Sequence, residues 1–447
     1  MLIHKVKMIK INHLFIATFL LTIFISGSNT ISAQTNRQDS SKFEWFSNAR
    51  LGIFIHWGIY SVNGIDESWS FYNDYISYDD YMNQLNGFTA SNYNPDKWAE
   101  LIKESGAKYA VITAKHHDGV ALWNSKYSDL NVAQKTPAKR DLLKPFVKSL
   151  RKEKIKVGIY YSLLDWSHPD YPNFTRNEIR YKDDSLRWDK FVKFNFGQIE
   201  EIMDNYNPDL VWFDGDWEQS AESWHAKEIR ELLLKKNKNV IINSRLQGYG
   251  DYATPEQGVP IHKPKDKYWE LCMTMNDSWG YQGNDKNYKT LYQVIRIFTD
   301  VISLGGNLLL DIGPKPDGTI PEEQVHILKE LGKWTKKHEQ AIFGTKAGIP
   351  KDYFAGPSTL SKDGKTLYLF ITGKPNGPIM LKGLKNKINS IWVVGRGIKL
   401  EHEIKMKAWW SKTPGLVFID IPESALDDYI TIIALSLADG EVSLFSN

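Results

Sequence analysis

At 447 residues the chain is long enough for one domain of about 250–300 residues plus a smaller one. Hydrophobic content of 42% and charged content of 24% mark a globular protein. With 56 Lys+Arg against 53 Asp+Glu, and basic runs such as Arg151-Lys152-Glu153-Lys154 interrupted by acids, no basic stripe points to nucleic acid. The single cysteine, Cys272, excludes intramolecular disulfides.

Lys5, Lys7 and Lys10 precede an apolar run over residues 14–25, followed by small and polar residues up to Ala33. This pattern predicts a secretory signal peptide over 1–33 and export to the periplasm or the medium. Because the leader carries three lysines and no acid, the exported chain is expected to be near neutral. No later segment offers 18 unbroken apolar residues, so no membrane span is expected. Twelve of the 16 tryptophans fall between Trp45 and Trp279, an aromatic excess suited to core packing and to stacking on sugar rings.

Residues 34–43 are polar and read as a flexible segment. A strand is predicted over 51–56, a helix over 96–105, a strand over 109–114 and a helix over 142–152. The strand 157–161 follows, then a long helix over 187–206 and a strand running from Pro208 into Asp214. Next come a helix over 221–235, a short strand over 240–242 and, beyond a Gly/Pro-rich stretch, a strand over 268–275. A helix over 290–302, a strand over 307–312 and a helix over 322–340, started by Pro321, complete the series. This alternation predicts a (β/α)8-like TIM barrel over 44–344; no Gly-x-Gly-x-x-Gly or Walker signature supports an open doubly wound sheet. Short β-type runs at 366–371, 391–394, 415–419 and 429–435 predict a C-terminal antiparallel β-sandwich over 345–447. There Trp409-Trp410 is expected to pack on the barrel, with a sugar platform as the other reading.

Polar residues gather where the predicted strands end, the face at which a barrel presents its chemistry. His56 closes the first strand, and Lys115-His116-His117-Asp118-Gly119 the second. Tyr161, with Asp165-Trp166 beyond, ends the third; Asp214 ends the fourth and Arg245 follows the fifth. Glu256 lies in Thr254-Pro255-Glu256-Gln257 and Glu270 in Tyr268-Trp269-Glu270. The histidines lack the His-x-x-x-His spacing of a helical zinc site, and adjacent His116 and His117 point different ways if extended. Cys272 sits between Leu271 and Met273 and reads as buried and inert, and no Gly-x-Ser-x-Gly elbow appears. What remains is a carboxylate pair, one acid to meet an anomeric carbon and one to hand over a proton. Asp214 as a helix cap and the histidines as satisfied core residues are the alternatives.

At these residues the chain resembles the glycoside hydrolase family 29 α-L-fucosidases. The matching blocks are Trp45-Phe46, Phe54-Ile55-His56-Trp57-Gly58, Ala114-Lys115-His116-His117-Asp118-Gly119 and Tyr160-Tyr161-Ser162. They continue with Trp212-Phe213-Asp214-Gly215, Trp269-Glu270-Leu271-Cys272-Met273-Thr274, Ser278-Trp279-Gly280-Tyr281 and Gly305-Gly306-Asn307-Leu308-Leu309-Leu310-Asp311-Ile312-Gly313-Pro314. The resemblance implies a retaining exo-hydrolase, built as a barrel and a β-sandwich, that needs no metal or organic cofactor. Its partner would be a fucosylated oligosaccharide or glycoconjugate. Asp214 becomes the nucleophile, with His56, His116, His117, Tyr161 and Arg245 around the fucose hydroxyls and Trp212 and Trp279 lining the pocket. The acid/base position varies across the family; Glu256 is the first choice and Glu270 the alternative, whose other role is to support the pocket wall. Many members have Glu directly before Trp where this chain has Glu67-Ser68-Trp69, which leaves the contact of Glu67 with the 3- and 4-hydroxyls open while Trp69 stays at the pocket. The competing readings are an inactive, lectin-like fucose binder and a retaining hydrolase of a related sugar such as α-L-galactoside.

Overall fold

The computed structural model describes residues 41–446; the predicted signal peptide lies outside the described residues. Seven parallel strands form one sheet: β1 Leu51–Ile55, β2 Tyr109–Lys115, β3 Lys156–Ser162, β4 Leu210–Asp214, β5 Ile241–Ile242, β6 Glu270–Thr274 and β7 Asn307–Ile312. Their order, β5-β4-β3-β2-β1-β7-β6, curls the sheet round until only β5 and β6 lack a common ladder. That gap is spanned by parallel bridges Asn243–Tyr252, Ala253–Trp269 and Glu256–Cys272. Residues 252–257 therefore run as an irregular eighth wall segment, and it carries Glu256. This stretch escaped the sequence reading because Gly248, Gly250, Pro255 and Gly258 mask any strand pattern.

Each strand is buried on both faces, so the two-residue alternation has to be read from packing. One set of side chains fills the lumen: Phe54, Tyr109, Val111, Tyr160, Leu210, Trp212, Cys272 and Leu309, joined from below by Phe43 and Phe46. The other set, including Ile53, Ile112, Ile159, Tyr161, Val211, Phe213 and Leu310, packs outward against the helices. Of the segment 34–43 expected to be flexible, residues 34–40 lie outside the described residues, and Phe43 is buried and stacked on Tyr268. The helix predicted over 221–235 is two helices, Ala221–Trp224 and Ala226–Lys236, separated at His225 with φ 52°.

Beyond the barrel, β8 Lys346–Ala347, β9 Ser358–Leu360, β10 Thr366–Ile371, β12 Ile388–Val393, β13 Lys399–Leu400 and β16 Thr431–Leu437 form a six-stranded sheet. It faces a three-stranded sheet of β11 Ile379–Leu381, β14 His402–Lys405 and β15 Leu416–Ile419. Leu369, Leu381, Val417, Ile433 and Leu435 fill the space between the two sheets. Tyr368, Phe370, Ile432 and Ala434, on the opposite face of the larger sheet, merge with the outer core of the barrel. Trp409 and Trp410 do not pack on the barrel as expected; they are 91% and 74% exposed. Among the described residues no helix is long and apolar enough to cross a membrane.

Candidate active site

Asp214 closes β4 on the lumen face, in phase with Trp212 two residues earlier. Gly215, at φ 79°, turns the chain away behind it, and a Cβ there would lie 2.4 Å from Leu164 Cγ. Arg245 Nη1 donates to Asp214 Oδ1 at 2.7 Å, and the Tyr160 hydroxyl donates to Oδ2 at 2.9 Å. The other arm of the same guanidinium, Nη2, donates to Glu256 Oε2 at 2.5 Å. Burial works against the Arg245 charge, but its acidic neighbours, Asp214 foremost, more than offset it and hold its pKa above the ordinary value. One planar cation therefore bridges two carboxylates, a geometry for which the rigid fork of arginine is suited. Its guanidinium also lies 4.5 Å from the Trp212 ring centre, which fixes its plane. The Asp214 side chain is 11% exposed and that of Glu256 40%, so one acid sits at the floor and the other faces the mouth.

Both acids line a cavity of about 210 Å³ together with His56, Glu67, Trp69, His116, His117, Trp212, Arg245 and Trp279. That is below the roughly 300–1,000 Å³ of sites for drug-sized ligands and suits a single sugar ring. The three imidazoles are buried, and burial drives each pKa down: His56 and His116 well below the ordinary value, His117 to about 3. They are neutral, and their outer partners orient them. His56 Nδ1 meets Asp311 Oδ1 at 2.6 Å. Burial also raises Asp311 well above the carboxylate range, so this contact is a hydrogen bond and not an ion pair. His117 Nδ1 meets Ser162 Oγ at 2.6 Å; since that hydroxyl donates to Leu164 O at 2.7 Å, it accepts the Nδ1 proton. The Nε2 lone pair of His117 is then turned to the cavity, 3.7 Å from Asp214 Oδ2. His116 and His117 were expected to diverge along a strand. The chain leaves β2 at Lys115 after a register shift, and both rings line the cavity, 4.2 Å apart.

The intervening serine does not displace Glu67 from the cavity. Ser68 absorbs the extra residue at φ 27°, and its hydroxyl lies 2.7 Å from His116 Nδ1. The Glu67 carboxyl accepts the Gly280 N–H, an approach that needs glycine because a Cβ at Gly280 would lie 2.7 Å from Glu67 Oε1. Burial pushes Glu67 up to about 7.

Two expected site residues lie elsewhere. Tyr161 faces away from the cavity: its hydroxyl meets Asn195 at 2.6 Å and Gln198 at 3.0 Å on the helix Ser185–Tyr206, and Lys115 Nζ at 3.2 Å. Its neighbour Tyr160 shares the lumen phase of Trp212 and Asp214 and occupies the place assigned to Tyr161. Glu270 is also outside the cavity. It shares a face with Cys272 but sits two residues, about 6.6 Å, deeper in the lumen. There it accepts from Trp212 Nε1 at 3.1 Å, from Tyr252 at 3.4 Å and from the Tyr109 hydroxyl. Cys272 is buried as expected, yet it lines the cavity. Tyr160, Trp217, Phe54 and the His56 partner Asp311 went unassigned in the sequence; an aspartate ending the apolar run Leu308-Leu309-Leu310 was the available signal for the last.

Burial raises Glu270 to about 7, against an unfolded value of about 4.3. The folded state then keeps a proton that the unfolded chain releases, so stability from this group falls as pH rises from about 4.5 through 7, by on the order of 3 kcal/mol. Glu270→Gln can still accept from Trp212 and donate to the Tyr109 oxygen. It should flatten the decline of chemical-denaturation stability between pH 5 and 8 relative to the parent. Identical pH profiles would show that Glu270 carries no such proton.

The sequence model of the family described as "Alpha-L-fucosidase" matches residues 25–340. Tissue alpha-L-fucosidase of Rattus norvegicus is 32% identical over 333 residues, covering 68% of this chain and 70% of the rat protein. Alpha-L-fucosidase isoenzyme 1 from Paenibacillus thiaminolyticus superposes with a TM-score of 0.82 at 34% identity, over 90% of this chain and 100% of the other. A family 29 alpha-L-fucosidase from Bacteroides thetaiotaomicron gives a TM-score of 0.79 at 27% identity, over 89% and 96%. The match spans the cavity, the bridged carboxylates and the closing wall segment alike, and on it the chain belongs to the alpha-L-fucosidase family, glycoside hydrolase family 29.

Proposed function

We propose that the protein is a retaining exo-α-L-fucosidase that removes terminal fucose from fucosylated oligosaccharides or glycoconjugates by double displacement. The observation that carries this reading is the single guanidinium joining Asp214 to Glu256 across a cavity sized for one sugar ring. A hydrogen bond at each end of that cation is compatible with the roughly 5–5.5 Å separation of a retaining pair. In the first step Asp214 attacks the anomeric carbon while Glu256 gives its proton to the departing oxygen. In the second, Glu256 takes a proton from water, which attacks the same carbon and releases Asp214 and α-L-fucose. The Bacteroides relative, trapped as a covalent intermediate with 2-fluoro-fucosyl fluoride, supports the two-step course.

Neutral His56, His116 and His117 suit exchange of hydrogen bonds with sugar hydroxyls without fixing a charge there. Phe54, Trp212, Cys272 and Trp279 give the cavity apolar surface for the methyl group of fucose. A galactose hydroxymethyl placed on such surface loses about 10–200-fold in kcat/KM. The basic and apolar leader supports action after export, in the periplasm or outside the cell.

Proton NMR during hydrolysis of an aryl α-L-fucoside should show α-L-fucose as the first anomer formed, with the α-L-galactoside cleaved more slowly by that factor. First formation of the β-anomer, or equal rates on both sugars, would overturn the reading.

A further inference from the structure

Trp217 is half exposed at the mouth of the cavity, yet the turn that carries it is clamped on both sides. Before it, the Asp216 carboxylate accepts the Gln247 N–H at 2.8 Å, and the Asp216 carbonyl accepts from Trp224 Nε1 at 2.9 Å and Gln247 Nε2 at 2.6 Å. After it, Glu218 accepts from Trp166 Nε1 at 3.1 Å, the Tyr171 hydroxyl at 2.7 Å and Asn173 Nδ2 at 2.6 Å. Six hydrogen bonds thus fix the neighbours of an indole that is itself 50% exposed. The ring lies nearly parallel to Trp69, at 13° and 6.3 Å, and edge-on to His117 at 5.7 Å. An apolar ring held rigidly toward water beside a sugar-sized cavity is pre-organised for a face-on partner.

A second, wider depression begins at the next residue. Glu218 and Gln219 line a cleft of about 730 Å³ with Asn173, Ile179, Tyr181 and Trp188, more than three times the volume of the fucose-sized cavity. Ile179 is 54% exposed there, and Gln219 and Ser223 offer hydrogen-bonding groups beside it. The two spaces share the turn Asp216–Glu218: Trp217 lines the first and Glu218 the second.

We infer that this surface is the aglycone site, with the sugar that bears the fucose stacked on Trp217 and the following rings of the glycan lying in the Asn173–Gln219 cleft. The inference rests on the hydrolase reading and deepens it by placing recognition of the departing glycan on Trp217 and the Asn173–Gln219 cleft, so that kcat/KM is higher for fucose on an oligosaccharide than for fucose on a leaving group without a ring. Trp217 is then a specificity-determining residue: it lines the rim of the fucose cavity, and its exposed face meets the part of the substrate that departs.

The test compares kcat/KM for α-L-fucosyl fluoride, which has no aglycone ring, with that for fucosylated di- to pentasaccharides. Trp217→Ala should lower the glycan-to-fluoride ratio about tenfold or more, chiefly through KM. Ile179→Asp, at an exposed position, should lower the ratio for trisaccharides and longer chains while sparing disaccharides. Thermal melts establish that both variants are folded. An unchanged ratio in both variants, or an equal fall on fluoride and glycan in Trp217→Ala, overturns the aglycone site. Inactivity of the parent enzyme on fucosyl fluoride sinks the hydrolase reading and this inference with it.

Discussion

Asp214→Gly is expected to lose at least about 10⁴-fold in kcat/KM on an aryl α-L-fucoside and to regain turnover when azide is added. The parent carboxylate is held by Arg245 and Tyr160 on separate oxygens, so it presents one orientation to the sugar without paying for reorganisation as the bond forms. Removing the side chain leaves those donors around a space at the end of β4, where a small anion fits. Azide in that space attacks the face the carboxylate would have used, and the product is β-L-fucosyl azide. Stereochemistry makes the test specific: a variant merely damaged in folding gives no azide adduct, and a bystander aspartate leaves the rate unchanged. Near-parental turnover without azide would remove Asp214 from the chemistry.

The strand ends were readable because parallel strands buried on both faces appear as apolar runs, and the first polar residue after each run marks the mouth of the barrel. His56, Asp214 and the His116-His117 pair were located in that way. The same double burial hid the phase of each strand. Tyr160 and Tyr161 are equally apolar in context, and only the lumen packing of Tyr160 with Trp212 separates them. Depth was hidden too: Glu256 and Glu270 flank the same wall, but the parallel bridge Glu256–Cys272 lifts the first to the cavity, while Glu270 lies two residues below Cys272. The wall segment 252–257 has no hydrophobic period, since its hydrogen bonds come from single bridges and not from a ladder. Glu67 kept its place because Ser68 takes a backbone conformation that a propensity argument does not assign to serine.

The division of labour between the two glutamates leads to the second large effect. Glu256→Ala should cut kcat/KM on a fucosylated oligosaccharide by about 10²–10⁴-fold, since a sugar alkoxide is a poor leaving group without a proton donor. On α-L-fucosyl fluoride, whose leaving group needs far less help, the first step should be nearly spared and the second, which needs a base, should become limiting. Azide attacks the fucosyl-enzyme without needing a base and should accelerate turnover. Because this attack displaces Asp214 from the opposite face, the adduct is α-L-fucosyl azide, the reverse of that from Asp214→Gly. Glu270→Ala predicts a different outcome. It strips the acceptor from Tyr109, Trp212 and Tyr252, and should destabilise the fold by about 1–3 kcal/mol or more without any azide effect. An azide-rescued Glu270 variant, with Glu256→Ala still active on oligosaccharides, would exchange the two assignments. The separation expected here follows from exposure: the acid that must meet both a departing oxygen and an incoming water has to reach the mouth of the cavity, and of the two only Glu256 does so.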